Sequence, residues 1–504
     1  MTLCGGAKML LSAGVELGKD EAAYVYWGQH LDASFALLPF ALFGLFHGLA
    51  PGVEWVVRLV PVLSGAASTV LLFHLCRLHG VSTAQALWAT AALASSHWFW
   101  HTTSYLHPDG PFVACWLLTL IAARRCWYGG ASTVHRRHLA QVGAAAGLTI
   151  LCKYSGAFLV IGLLLWIPIA RRQSRWSEFW WVALPLALIT APLIHAQVAS
   201  HFFLPTTLTT LSAIVSSTNP FARLALFGLN PLLFVSPLCL YLLYRTLAML
   251  LIGEWHELAQ RRPRGEILLA LLPSLCLLLA FAAFALTRGQ IKGNWVLPAF
   301  LGLLPFAFAR ANLPSARRLF LWSLVGTNLL QAIVIGGALR FPGIVGEVES
   351  ALEVSSLNDS YTLLVAVEDR RREVAFSWTE RLCEYRGWRR LASELEERLA
   401  MTETTSDRPL VSSQYGVVFG LAYYGAGQRA YFTVDDPRFR DLTDLFASNG
   451  VDLPSQILFV ARTGTALPVS LLRHYEAMEV VIRLPRREEG CSPIQYDAQH
   501  LQLR

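Results

Sequence analysis

The sequence predicts a polytopic α-helical membrane protein with a C-terminal α/β extracytoplasmic domain, and three observations carry that prediction. Of its 504 residues, 54% are hydrophobic and 15% charged, with a mean hydropathy of +0.45, outside the range of soluble globular chains. Residues 55–339 are almost continuously apolar, in runs long enough to cross a bilayer. After residue 340 those runs stop and shorter alternating segments take their place, which divides the chain into a membrane domain at 1–340 and an outer domain at 341–504.

The apolar runs place spans near 55–75, 84–103, 109–123, 138–152, 155–170, 178–199, 224–252, 266–287, 295–309 and 319–339, ten in all. Segments apolar on every side satisfy their backbone in lipid only as helices. Alternate loops carry Arg77; Arg124, Arg125, Arg136 and Arg137; Arg171, Arg172 and Arg175; Arg245, Arg261, Arg262 and Arg264; and Arg310, Arg317 and Arg318. These are fifteen arginines without evident partners, against Lys19, Lys153, Arg223, Arg288 and Lys292 on the opposite side. Such an excess marks the cytoplasmic face, so the net charge of +7 reads as membrane orientation and excludes nucleic acid as the partner. The chain is expected in the inner (plasma) membrane, crossing it many times.

Parity then gives the extracytoplasmic face an external loop at 15–54, residues 101–109, the turn around 153, residues 200–223 and 288–294, and everything after 340. A first crossing is expected before residue 20, bringing the helices to about 10–11, yet residues 1–18 offer only a short apolar piece, Met9–Val15. That first helix therefore reads as truncated, unless the chain starts outside. The run 36–50, interrupted by Pro39, Gly44 and Gly48, reads as a helix lying on the outer surface. Beyond 340 the pattern predicts a helix from Gly387-Trp388 to Leu399, a strand at Pro409–Ser412, an apolar helix at Tyr415–Tyr424, and strands near Ala430–Val434, Gln456–Val460 and Glu479–Leu484. Seven of the nine cysteines lie in or beside apolar segments, where they act as small hydrophobes; pairing of Cys383 with Cys491 stays open.

The residues able to do chemistry lie on the outer face. Asp20 and Glu21 stand together ahead of Tyr24, Tyr26 and Trp27, where they could be functional carboxylates or the acidic first turn of a surface helix. Asp109, in His107-Pro108-Asp109-Gly110-Pro111, is a third carboxylate and also sits where an ordinary helix begins. Lys153-Tyr154 interrupts an apolar stretch, in a chain that has four lysines among 41 basic residues. Arg288 and Lys292 add two cations among small residues, as phosphate recognition requires and as a solvated loop also allows. His97, His101 and His107 read as interface residues, since their spacing imposes no coordination geometry. Carboxylates to take an acceptor proton and cations to neutralise a departing phosphate together point to transfer from a lipid-linked phosphate donor. No cofactor or metal is required, although the oxygens of Asp20, Glu21 and Asp109 suit a divalent cation.

Several blocks carry a family resemblance: Asp20-Glu21-Ala22, Arg58-Leu59-Val60-Pro61, Pro108-Asp109-Gly110-Pro111, Leu151-Cys152-Lys153-Tyr154-Ser155-Gly156, and Asn294-Trp295 with Pro298-Ala299-Phe300. The tail continues them with Gly387-Trp388, Ser413-Gln414-Tyr415 and Leu421-Ala422-Tyr423-Tyr424. In order and spacing the chain resembles the polyprenyl-phosphate-sugar-dependent glycosyltransferases of GT-C fold, the protein O-mannosyltransferase and aminoarabinose-transferase superfamily. The resemblance implies an inverting transfer of a sugar from a polyprenyl-phosphate donor to an envelope lipid, glycan or protein acceptor. It implies Asp20 as the catalytic carboxylate with Glu21 and Asp109 beside it, and Lys153, Tyr154, Arg288 and Lys292 around the donor phosphate. Where many bacterial members carry a Tyr-Asp-His-Pro-Pro block, this chain reads Ser34-Phe35-Ala36-Leu37-Leu38-Pro39-Phe40. The alternatives are a lipid-linked-sugar transporter or flippase, which calls for polar groups at mid-membrane depth, and a non-catalytic membrane protein that binds polyprenyl phosphate.

Overall fold

A computed structural model of the chain describes residues 16–30, 36–128, 133–170, 176–199, 220–252, 264–288, 293–309, 315–340, 387–401, 408–425, 431–433, 454–463, 465, 467–486 and 494–503. The chain divides into two compact units. The first comprises residues 1–10, 31–43 and 58–335; the second comprises 11–30, 44–57 and 336–504, so that two early segments of the chain cluster with the tail.

In the first unit the apolar runs form helices at Glu54–Leu78, Thr83–Ser95, His97–Ser104, Asp109–Tyr128, Thr133–Cys152, Gly156–Ala170, Trp176–Ala199, Pro220–Leu229, Pro237–Ile252, Arg264–Arg288, Leu304–Ala309 and Ser315–Arg340. Glu54–Leu78 and Gly265–Thr287 are each long and apolar enough to cross a membrane. His97–Ser104 and Asp109–Cys126 pass the same test together, as a broken span bent by 111°. Helices approach closely where side chains are small: a Cβ on Gly143 would stand 2.1 Å from the Val182 carbonyl oxygen, so only glycine lets Thr133–Cys152 lie this tightly on Trp176–Ala199.

Three expected spans are not continuous helices. The run 84–103 divides at Ser96, whose extended backbone ends one helix while its hydroxyl donates to Leu93 O at 2.8 Å and accepts from Phe99 N at 3.3 Å to start the next. The run 224–252 divides where Pro231 and Pro237 remove backbone donors, leaving a 3₁₀ turn at Asn230–Leu233. The run 295–309 is built from 3₁₀ turns at Gly293–Trp295 and Leu297–Phe300 and a short helix at Leu304–Ala309, since Pro298, Gly302 and Pro305 deny it a regular helix. Asn328, fully buried, serves two of these breaks. Its amide donates to Ala92 O and Ser95 Oγ, each at 3.2 Å, and its oxygen accepts from Ser236 N at 3.0 Å.

One arginine expected as an unpartnered loop charge is buried instead. Arg124 Nη2 lies 2.6 Å from Glu266 Oε1 and 3.1 Å from Leu78 O, while His79 Nδ1 stands 3.3 Å from Glu266 Oε2. The Arg264–Arg288 helix thereby presents its only first-turn carboxylate to the guanidinium near the end of Asp109–Tyr128.

The second unit holds a five-stranded sheet of order β2-β1-β3-β5-β4, with β1 Leu410–Ser412, β2 Tyr431–Thr433, β3 Gln456–Arg462, β4 Tyr475–Arg486 and β5 Ile494–Leu503. β1 runs parallel to β2 and β3, and β5 antiparallel to β3 and β4. Val411, Ile457, Phe459 and Leu501 fill one core with Leu471 and Tyr475. The predicted tail elements form where expected; β5, which the pattern does not predict, pairs along the full length of β3.

The Lys19–His30 helix packs on the Tyr415–Tyr424 helix through Tyr26 and Trp27 against Phe419, with ring centroids 5.2 and 5.8 Å apart. Glu16 accepts from Trp388 N at 2.6 Å and Arg389 N at 3.3 Å, so a side chain near the amino terminus caps the Trp388–Met401 helix. The Tyr424 hydroxyl accepts from Leu17 N at 2.7 Å and donates to Glu54 Oε1 at 3.1 Å, and Arg389 pairs with the same Glu54 oxygen. Burial and the Glu54 carboxylate push the Tyr424 hydroxyl above the ordinary phenol range, so it stays a donor.

These bonds can be tested one at a time. Arg124→Met, which leaves the Glu266 carboxylate buried without its guanidinium, lowers stability by about 3 kcal/mol, read as a fall in the thermal midpoint of the detergent-solubilised protein. Tyr424→Phe removes the acceptor of Leu17 N and costs about 1–2 kcal/mol; amide exchange across residues 16–30 accelerates, while exchange in β3 does not.

Candidate functional site

The helix Asp109–Tyr128 begins on a carboxylate because His107-Pro108 breaks the preceding helix and Pro108 cannot continue it. Gly110 allows that start to be buried: a Cβ there would stand 2.6 Å from Thr102 O. The Asp109 side chain has no exposure at all.

A carboxylate so placed stays ionised only if its charge is balanced locally. Lys153 Nζ donates to Asp109 Oδ1 at 2.6 Å, Asn294 Nδ2 to Oδ2 at 3.4 Å, and His107 Nδ1 stands 3.5 Å from Oδ2. Lys153 occupies the turn between Thr133–Cys152 and Gly156–Ala170, where Gly156 N donates to Lys153 O at 2.9 Å and Lys153 N to Thr149 O at 3.2 Å. That tight turn aims the side chain back along the helix ends. The ammonium also lies 5.8 Å from the Trp295 ring centroid and 6.0 Å from that of Phe112, within reach of both aromatic faces.

Two buried polar atoms of these segments have no hydrogen-bond partner among the described residues: the Tyr154 hydroxyl and Asn294 Oδ1. Arg58, buried completely, holds its guanidinium 5.3 Å from the Tyr105 ring centroid in the same unit. Lys153 keeps a side-chain exposure of 17%, so its ammonium is paired but not sealed. The arrangement suits an oxyanion, to which the Lys153 ammonium offers charge.

Of the candidate residues that the sequence singles out, Asp109 and Lys153 are thus in contact, with Tyr154 in the same turn. The structure adds His107, Asn294 and Trp295, whose motifs are recognisable in the sequence but whose place in the site is not. Asp20 and Glu21 open the Lys19–His30 helix in the second unit and differ sharply in setting. Glu21 is buried and accepts from Gly18 N at 3.0 Å, closing the helix start; Asp20 is exposed. Arg288 ends the Arg264–Arg288 helix, and Lys292 lies outside the described residues. Among the described residues no group of three or more His, Cys, Asp or Glu side chains is arranged to hold a metal ion.

Residues 35–195 match the family described as dolichyl-phosphate-mannose-protein mannosyltransferase. The crystal structure of ArnT from Cupriavidus metallidurans bound to undecaprenyl phosphate is similar over 99% of this chain and 96% of its own, with a TM-score of 0.58 at 16% identity. ArnT in the apo state is similar over 97% of this chain and 95% of its own, with a TM-score of 0.56 at 16% identity. The S. cerevisiae protein O-mannosyltransferase Pmt1-Pmt2 complex bound to the sugar donor matches 40% of this chain and 32% of its own, at 17% identity and a TM-score of 0.30. Comparison with curated protein sequences gives no match. The likeness to ArnT shows a shared fold, with a mostly helical body and a small C-terminal sheet.

The ion pair at this site is testable without any substrate. Asp109→Asn and Lys153→Met each leave one partner uncompensated and lower stability by roughly 3 kcal/mol. The double variant loses clearly less than the sum of the two, as a thermal double-mutant cycle on purified protein measures.

Proposed function

We propose that this chain, which matches the dolichyl-phosphate-mannose-protein mannosyltransferase family at residues 35–195 and shares the fold of ArnT, is a membrane glycosyltransferase that draws its sugar from a polyprenyl-phosphate donor on the extracytoplasmic side. The observation that carries the reading is the Asp109–Lys153 pair, a fully buried carboxylate held by an ammonium that keeps some exposure. An ammonium held by a carboxylate, but still reachable, is a receptor for a phosphate that must be bound and later released.

The chemistry is a single displacement at the anomeric carbon. The acceptor oxygen forms a bond to that carbon as the bond from carbon to the phosphate oxygen breaks. The phosphate leaves with the electron pair, and the acceptor hydroxyl gives its proton to a carboxylate base. Asp20 is proposed as the base: it is the exposed member of its pair, and Glu21 is already committed to closing the helix start. Lys153 is proposed to neutralise the leaving phosphate, with Arg288 and Lys292 as further cations of the donor site. The arginine asymmetry of the loops supports an extracytoplasmic face for Lys153 and the C-terminal domain. An envelope lipid, glycan or protein is the proposed acceptor class.

The test is transfer of labelled sugar from a polyprenyl-phosphate donor in membranes that contain the protein. Asp20→Asn is expected to lower turnover by at least about a hundredfold, the usual contribution of a general base, with the protein still folded. Lys153→Met is expected to raise the KM for donor. Full turnover by Asp20→Asn overturns the assignment of the base, and a wild-type protein that never transfers sugar overturns the reading as an enzyme.

A further inference from the structure

His107 faces two incompatible demands beside Asp109. Its Nδ1 lies 3.2 Å from the Asp109 backbone nitrogen, whose N–H is one of the donors left unpaired at the start of the Asp109–Tyr128 helix and requires a lone pair on the ring. The same Nδ1 lies 3.5 Å from Asp109 Oδ2, a carboxylate oxygen that requires a proton there. One ring nitrogen cannot meet both demands at once, because it is either an acceptor or a donor. The neutral ring with a bare Nδ1 serves the helix N–H; the ring protonated on Nδ1 serves the carboxylate.

Which state holds depends on what Lys153 is doing. While Lys153 Nζ rests on Asp109 Oδ1 at 2.6 Å, the carboxylate is balanced and the shorter of the two His107 contacts, the one to the N–H, is satisfied by a neutral ring. A phosphate that takes up the ammonium brings one negative charge and withdraws part of the charge that balanced Asp109. A proton on His107 restores neutrality where Asp109 Oδ2 already meets a titratable nitrogen. With 19% of its side chain exposed, His107 can exchange that proton with solvent.

We infer that His107 is a proton-linked second cation of the phosphate site, neutral while Lys153 is paired with Asp109 and protonated when a phosphate engages Lys153. The groups that face it are Asp109 two residues along the chain, Lys153 across the carboxylate, and His101 from the His97–Ser104 helix, with ring centroids 5.7 Å apart. Behind His101 lie His97, at 6.1 Å between centroids, and Tyr105, at 5.7 Å, over which Arg58 is stacked. The positive Arg58 and any charge on His101 oppose protonation of His107, so the anion has to supply the drive. The inference rests on the phosphate-binding role proposed for Lys153.

The sign of the linkage is definite. Binding raises the affinity of the ring for its proton, so ligand affinity is full below the ring's free value and is lost as pH rises through the interval between the free and bound values. The experiment is titration calorimetry of the full chain in lipid nanodiscs with a short-chain prenyl phosphate methyl ester, a phosphodiester that does not itself titrate near neutrality, in buffers of different ionisation heat. Within that interval wild-type protein is expected to take up close to one proton per ester bound, with affinity falling about tenfold per pH unit. His107→Gln binds with no uptake and a flat pH profile, and His101→Gln keeps the uptake. Proton uptake that persists in His107→Gln, or wild-type binding without uptake, overturns the inference while leaving the phosphate site standing. Failure of wild-type protein to bind the ester at any pH overturns the phosphate reading of Lys153 and this inference with it.

Discussion

A carboxylate with no access to water must have its charge met by the protein, and Asp109 imposes that condition on distant parts of the first unit. It fixes where the Lys153 turn must point and where Asn294 must come, which places the ends of several helices around one spot. The pair contributes little net stability by itself, since desolvation offsets much of the attraction. What it does fix is position: Lys153, Asn294 and His107 all converge on the one carboxylate.

The same logic orders the rest of the first unit. In a body of apolar helices, dispersion and burial favour close packing but discriminate weakly between registers. The few buried polar side chains supply the discrimination: Asn328 at the breaks near Ser96 and Ser236, Glu266 with Arg124 and His79, and Asp109 with Lys153. Each stands where a helix starts, stops or is interrupted, so that irregular backbone and buried charge occur together.

The second unit shows how a short segment distant in sequence is held. Glu16, Tyr424 and Glu54 join the chain on either side of the Asp20 helix to the domain formed by the tail through caps and hydrogen bonds, and Tyr26 and Trp27 add apolar packing on Phe419. Asp20 therefore sits on a helix whose two neighbours in sequence are tied to a folded domain.

How much is legible in the sequence differs between levels of structure. The helix runs, the boundaries of most of them and the tail elements from Trp388 to Arg486 are written in hydrophobic period and in Pro, Gly and Ser punctuation, which are local signals. Asp109 and Lys153 can be named, and put on one face, by parity of crossings. The strand Ile494–Leu503 escapes detection because its polar residues alternate without a strong apolar face, and the run 295–309 passes for a span because mean hydropathy does not report the helix-breaking effect of Pro298 and Pro305. What only the tertiary structure decided is the partnership of distant groups: Asn294 with Asp109, Glu266 with Arg124, Glu16 with the start of the Trp388–Met401 helix, and the two opposed demands on His107 Nδ1. The physical reason is that apolar burial is proportional to area and is written residue by residue, whereas a buried ion pair depends on a few tenths of an ångström between segments far apart in the chain, which no local pattern encodes.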